Sequence, residues 1–258
     1  MKKKSVWKRY AMAALLLINI LRVDAVFAID NRAEDIQAYT AIFTDPNADV
    51  RTVIQACERL GWAGLDDPQL FDIIEKKLLA TYKAGTDRDI TNTAAWLSHA
   101  LAYSGQEKYR ATLQDVAKHS RASNVTRHAE EALEELSLYT KWNPIISDHT
   151  LDMQGKSGDI NRFANMLRSN EKALQEIAAR RIINDSIRDA DLLAVVQQAV
   201  TPDIRKSWSE NDAKSVAYML KALAVSGQAQ FISTVEDAAQ NATTPKVRKY
   251  AEGYLKKR

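Results

Sequence analysis

The chain has 258 residues, with 36 Lys+Arg against 33 Asp+Glu and a single Cys. One cysteine excludes an intramolecular disulfide framework, so packing alone must hold the fold together. A formal charge of +3 is too small for a concentrated phosphate-neutralising surface, so no nucleic-acid partner is expected.

Lys2, Lys3, Lys4, Lys8 and Arg9 precede an uncharged apolar stretch, residues 11–21. That is the length of a signal-peptide core, whereas a membrane span needs about 20 apolar residues. Val26-Phe27-Ala28 then offers short side chains where a signal peptidase reads. Residues 1–28 are therefore expected to be a signal peptide cleaved after Ala28, giving a periplasmic or secreted chain with no stable membrane anchor. Without that segment the balance becomes 30 Lys+Arg against 32 Asp+Glu, so the basic excess belongs to the signal.

The rest predicts helices throughout. Apolar residues recur at helical spacing, as at Tyr109, Leu113, Val116 and Ala117, and no alternating β-branched run occurs. The first set of helices is expected at 31–43, 47–60, 67–83, 88–104, 106–119 and 123–139. Cys57 falls on the apolar stripe of the second of these and is expected to be a buried thiol. Residues 141–157, with Pro144 and Gly155, read as a connector. The second set follows at 158–168, 170–184, 188–200, 210–226, 228–241 and 245–257. Asp45-Pro46, Asp67-Pro68 and Thr244-Pro245 mark helix starts, and Gly61, Gly105 and Gly227 suit the left-handed residue that closes a helix.

The two sets are copies. Residues 100–106 (ALAYSGQ) recur as 222–228 (ALAVSGQ), and at this offset of 122 residues 100–133 share 13 of 34 identities with 222–255. The expected organisation is a unit at 29–140, the connector 141–157, and a second unit at 158–258. A short helical hairpin cannot bury its own apolar stripe, so stacking of hairpins into an all-α solenoid of about twelve helices is expected.

Asp45-Pro46 … Val50-Arg51 … Ala56 … Leu60-Gly61 resembles the second helix of a HEAT repeat, as does Thr244-Pro245-Lys246-Val247-Arg248 … Ala251 … Leu255. The segment from Ser123 through Val125 and Arg127 to Leu133 is a looser version. The chain is thus similar to HEAT-like (armadillo-type) helical repeat proteins. The resemblance implies a protein partner held on the concave face lined by second helices. Arg51, Arg127, Arg248 and Lys249 lie on such helices and are the expected contacts to an acidic partner segment.

No catalytic motif is present. His99, His119, His128 and His149 form neither H-x-x-x-H nor H-E-x-x-H, and at the offset of 122 the first three face Lys221, Asn241 and Tyr250, as tolerant helix surfaces would. No phosphate-cradling glycine loop or nucleophile elbow occurs. The sequence therefore predicts a binding module that is not an enzyme, with no catalytic residue, cofactor or metal. Two alternatives are chemistry in a groove between the halves, by an enzyme or lyase-like chaperone, and binding of a small ligand or envelope polymer on Trp142 or Trp208.

Overall fold

The computed structural model describes residues 32–256; the expected signal peptide and its cleavage point lie outside them. The described residues form twelve α-helices and three short 3-10 turns, with no strand. The first unit comprises α1 (Arg32–Thr44), α2 (Val50–Leu60), α3 (Pro68–Ala84), α4 (Arg88–Ala102), α5 (Arg110–His119) and α6 (Ser123–Ile146). The second comprises α7 (Gly158–Arg168), α8 (Lys172–Asn184), α9 (Ala190–Val200), α10 (Glu210–Val225), α11 (Ile232–Asn241) and α12 (Pro245–Leu255). No helix among the described residues is long and apolar enough to cross a membrane.

The offset of 122 reappears as atomic detail. Asp67 caps α3 by accepting from the Leu70 N–H at 2.9 Å, and Asp189 caps α9 by accepting from the Leu192 N–H at 2.9 Å. Each cap satisfies an N–H that the first helical turn leaves open. Ser104 and Ser226 each donate to the carbonyl three residues back at 2.7 Å, and each hydroxyl accepts from the N–H two residues on. Gln106 then reaches the Asp66 carbonyl at 2.5 Å, and Gln228 the Arg188 carbonyl at 2.9 Å. Gly105 and Gly227 between them adopt φ of +64° and +74°, a region that side chains with a Cβ avoid.

Three expectations change. Helix α2 starts at Val50 rather than 47, because Asp49 supplies the cap through the Thr52 N–H at 3.0 Å, while Asp45 turns back onto the Asn47 N–H. Gly61 has φ −61°, and the left-handed residue there is Gly64 at +64°. What Gly61 provides is room: a Cβ would stand 3.2 Å from the Tyr103 ring, and its carbonyl accepts from the Tyr139 hydroxyl at 2.9 Å. Helix α6 runs through Pro144 to Ile146, past residue 139 where the sequence pattern ended. A proline so close to a helix end removes one backbone bond only, and Asn143 ties the extension down by donating to the carbonyls of Leu65, Tyr103 and Ser104.

The helices form two layers. Even-numbered helices pack side by side, α2 on α4 on α6 and α8 on α10 on α12; odd-numbered ones make the other layer, α1 on α3 on α5 and α7 on α9. This is an all-α, solenoid-like stack of antiparallel hairpins. Two apolar cores lie between the layers, and Cys57 is fully buried in the first. Burial pushes its thiol far above the ordinary cysteine range, which leaves it unreactive.

The second unit joins at the first hairpin of the first unit and at the end of α6. Arg162 of α7 pairs with Asp35 of α1, both largely buried. Arg181 of α8 pairs with Glu58 of α2 at 2.8 Å and lies 4.3 Å from the Trp62 ring, which also packs against Phe163. The α6 end carries Trp142 to Glu171 and the Ile146 carbonyl to Asn165.

Candidate functional site

Two grooves between even-numbered helices occupy equivalent places in the two units. The first lies between α4 and α6, where His99 is only 13% exposed and packs against Trp96, Tyr103 and His128. His99 Nδ1 lies 2.7 Å from a Glu135 carboxylate oxygen, and His99 Nε2 lies 2.9 Å from His128 Nδ1. Glu131 Oε2 is 3.1 Å from His128 Nδ1 and 3.6 Å from His99 Nε2. Arg127 closes the far side, donating to Glu131 at 2.6 Å and to His128 Nε2 at 2.9 Å.

One proton arrangement satisfies the hydrogen bonds of the two rings to Glu135, to each other and to Arg127. His99 donates from Nδ1 to Glu135, so its Nε2 accepts from His128 Nδ1–H; His128 Nε2 in turn accepts from Arg127. Both rings are then neutral. Burial, followed by His99 and Arg127, presses His128 below the ordinary imidazole value against the opposing pull of Glu131. Burial works to raise Glu131, but Arg127 and the two imidazoles outweigh it and hold the carboxyl below its usual range.

The second groove, between α10 and α12, encloses a cavity of about 550 Å³ walled by Lys214, Lys221, Lys246 and Lys249. Lys246 pairs with Glu210 at 2.5 Å and Lys214 approaches Glu176 at 3.7 Å. Lys221 and Lys249 have no carboxylate partner among the described residues. Tyr218, Tyr250 and Tyr254, with Ala217 and Gly253, supply the rest of the lining, and the Tyr250 and Tyr254 rings stack at 6.3 Å. Burial, then Tyr250 and Tyr218, push Tyr254 up to about 12. At the offset of 122, His99 becomes Lys221, Arg127 becomes Lys249, His128 becomes Tyr250 and Glu131 becomes Gly253.

The four cations expected from sequence fare differently. Lys249 lines the second groove, and Arg248 beside it is half-buried. Arg127 is exposed but held by Glu131, and Arg51 is exposed in the first turn of α2. The reading of His99, His119 and His128 as helix surface holds for His119, which is exposed, and not for His99 and His128, which are partly buried and face one another. Trp142 and Trp208 line one cavity of about 880 Å³ at the joint of the units. Trp142 is buried, and the Trp208 ring already has Lys172 at 4.6 Å and Lys206 at 5.4 Å.

No protein-family model matches the sequence, and no curated protein matches it. A solved structure of human deoxyhypusine hydroxylase in complex with glycerol is similar at 10% identity and a TM-score of 0.33, over 86% of this chain and 95% of that one. The expectation that this chain is not an enzyme is corrected by that match, because the matched protein is by its name an enzyme. Missing local motifs do not exclude catalysis, because a site assembled from residues distant in the chain leaves none. A likeness of this strength assigns no activity.

Proposed function

We propose that this chain is an exported, HEAT-like helical repeat protein that holds an acidic segment of a protein partner in the α10–α12 groove. The observation behind this reading is the pairing of Lys221 and Lys249, cations without a carboxylate partner among the described residues, with three tyrosines around one cavity. Unpartnered ammonium groups attract carboxylates, and tyrosine rings add contact area at little entropic cost. Lys249 anchors the segment and Arg248 flanks it; Arg51 and Arg127, on α2 and α6 of the first unit, do not line this groove, and Glu131 already neutralises Arg127. The export part of the proposal rests on residues 1–28, and N-terminal sequencing of secreted protein should begin at Ile29.

The test is fluorescence anisotropy of a labelled Glu/Asp-rich peptide against the wild type and the Lys221→Glu/Lys249→Glu variant. Binding should weaken at least tenfold in the variant and fall in the wild type as salt rises, because screening removes the same attraction. Reversal of Glu107 and Lys108, outside the groove, should leave binding intact. A peptide that binds the variant as tightly as the wild type would overturn the proposal.

A further inference from the structure

We infer that His99, His128 and Glu131 form a binding site for one borderline divalent transition-metal ion of the Zn²⁺, Co²⁺ or Ni²⁺ kind. His99 Nε2, His128 Nδ1 and Glu131 Oε2 stand at the corners of a triangle with edges of 2.9, 3.1 and 3.6 Å. Tetrahedral zinc with bonds of about 2.0–2.1 Å places its donors about 3.3 Å apart. The three edges bracket that spacing, and small rotations of the side chains would turn the donors onto one ion. Two imidazoles and one carboxylate suit these ions better than the all-oxygen sets that calcium and magnesium take.

The surroundings supply what a metal ligand needs. Glu135 accepts a hydrogen bond from His99 Nδ1–H at 2.7 Å, which leaves the Nε2 lone pair on the triangle side; a carboxylate behind a ligating imidazole fixes the tautomer and raises its basicity. The Trp96 and Tyr103 rings, each 6.3 Å from His99, hold the imidazole plane. Glu131 is 44% exposed, so an ion can enter from solvent, and three protein donors leave the fourth position to water or a ligand atom. Arg127 is the opposing element. It pairs with Glu131 and donates to His128 Nε2, which keeps the proton on Nδ1. Metal binding must move that proton to Nε2 and turn Arg127 away, so Arg127 acts as a latch on the site.

The equivalent groove carries Lys221, Tyr250 and Gly253 and has no such donor set, which makes one ion per chain the expected stoichiometry. Untagged protein titrated with Co²⁺ should develop visible d–d bands at one equivalent and lose part of its Trp96 fluorescence, with Trp96→Phe as the optical control. Zn²⁺ should displace the Co²⁺. His99→Gln and Glu131→Gln should each weaken binding more than tenfold, and Glu135→Gln should weaken it about 10–100-fold. Arg127→Ala should tighten it severalfold, a change in the direction that loss of folding does not produce. Circular dichroism identifies any variant that has unfolded. Absence of saturable binding by the wild type, or binding that His99→Gln, Glu131→Gln and Arg127→Ala all leave unchanged, would overturn the assignment.

Discussion

The α4–α6 groove and the α10–α12 groove sit at the same place in two copies of one unit, yet one gathers imidazoles and carboxylates and the other gathers ammonium groups around tyrosines. Several residues behind the two grooves are the same. Ala100, Leu101, Ala102, Ala129 and Leu133 recur as Ala222, Leu223, Ala224, Ala251 and Leu255. The inward faces are fixed by packing, where one extra methylene is felt, whereas groove side chains cost the fold little when they change. Duplication thus supplied two sockets on one scaffold, and their chemistry diverged. The copies also differ in what lies over them: α6 continues past Gly105 to Ile146, whereas α12 ends at Leu255.

The largest expected effect tests whether the copies fold as one body. Arg162 of the second unit and Asp35 of the first are 12% and 2% exposed. Arg162→Ala leaves the Asp35 carboxylate buried without its guanidinium, which should cost about 3–5 kcal/mol. In urea unfolding the wild type should show one transition. If Arg162→Ala only splits that transition in two, the units are separable and the joint is weaker than the burial implies.

A smaller effect separates the copies at their shared turn. Alanine at Gly227 meets open space but keeps φ near +74°, so it should cost about 1–2 kcal/mol. Alanine at Gly105 has the same dihedral problem and would place its Cβ 2.5 Å from the Thr140 backbone nitrogen. Overpacking of that kind adds about 1–3 kcal/mol. Gly105→Ala should therefore lower the urea midpoint clearly more than Gly227→Ala. Equal losses would show that α6 does not hold its position over the turn.

Much of the architecture was legible because it is local. The turn at 104–106, the Asp67 cap and the Cys57 stripe each depend on residues a few positions apart, and all three appear as expected. The α6 extension was hidden by Pro144, a residue that reads as a break unless tertiary bonds such as those of Asn143 hold the last turn. The histidine site was hidden because His99 lies on one helix and His128 and Glu131 on another. Motif spacing cannot register that pairing. Comparison of the two copies does not single the site out either, because 21 of the 34 aligned positions differ (34 minus 13 identities).

The smallest effect compares the two caps. Asp67→Ala and Asp189→Ala each remove an acceptor from a helix start, which costs about 1 kcal/mol. Asp189 does more than its counterpart, because its carboxylate also takes Lys156 at 2.7 Å. Burial works to raise Asp189, yet the Lys156 ammonium and the Leu192 and Asp191 N–H groups prevail and hold it below the ordinary aspartate range. A folded-state pKa lowered in this way contributes stability that is fully present above the unfolded value of about 3.9 and is lost as pH falls through the folded one. At neutral pH, Asp189→Ala should therefore cost more than Asp67→Ala, and Lys156→Met should remove most of that excess. As pH falls below about 3.9 the cost of Asp189→Ala should shrink, since the wild type then loses the charge that the variant lacks. Urea midpoints at neutral pH and at pH values stepped downward from there measure both quantities. A penalty for Asp189→Ala that stays constant through the acid range would mean that only the neutral capping bond matters and that the two copies start these helices in the same way.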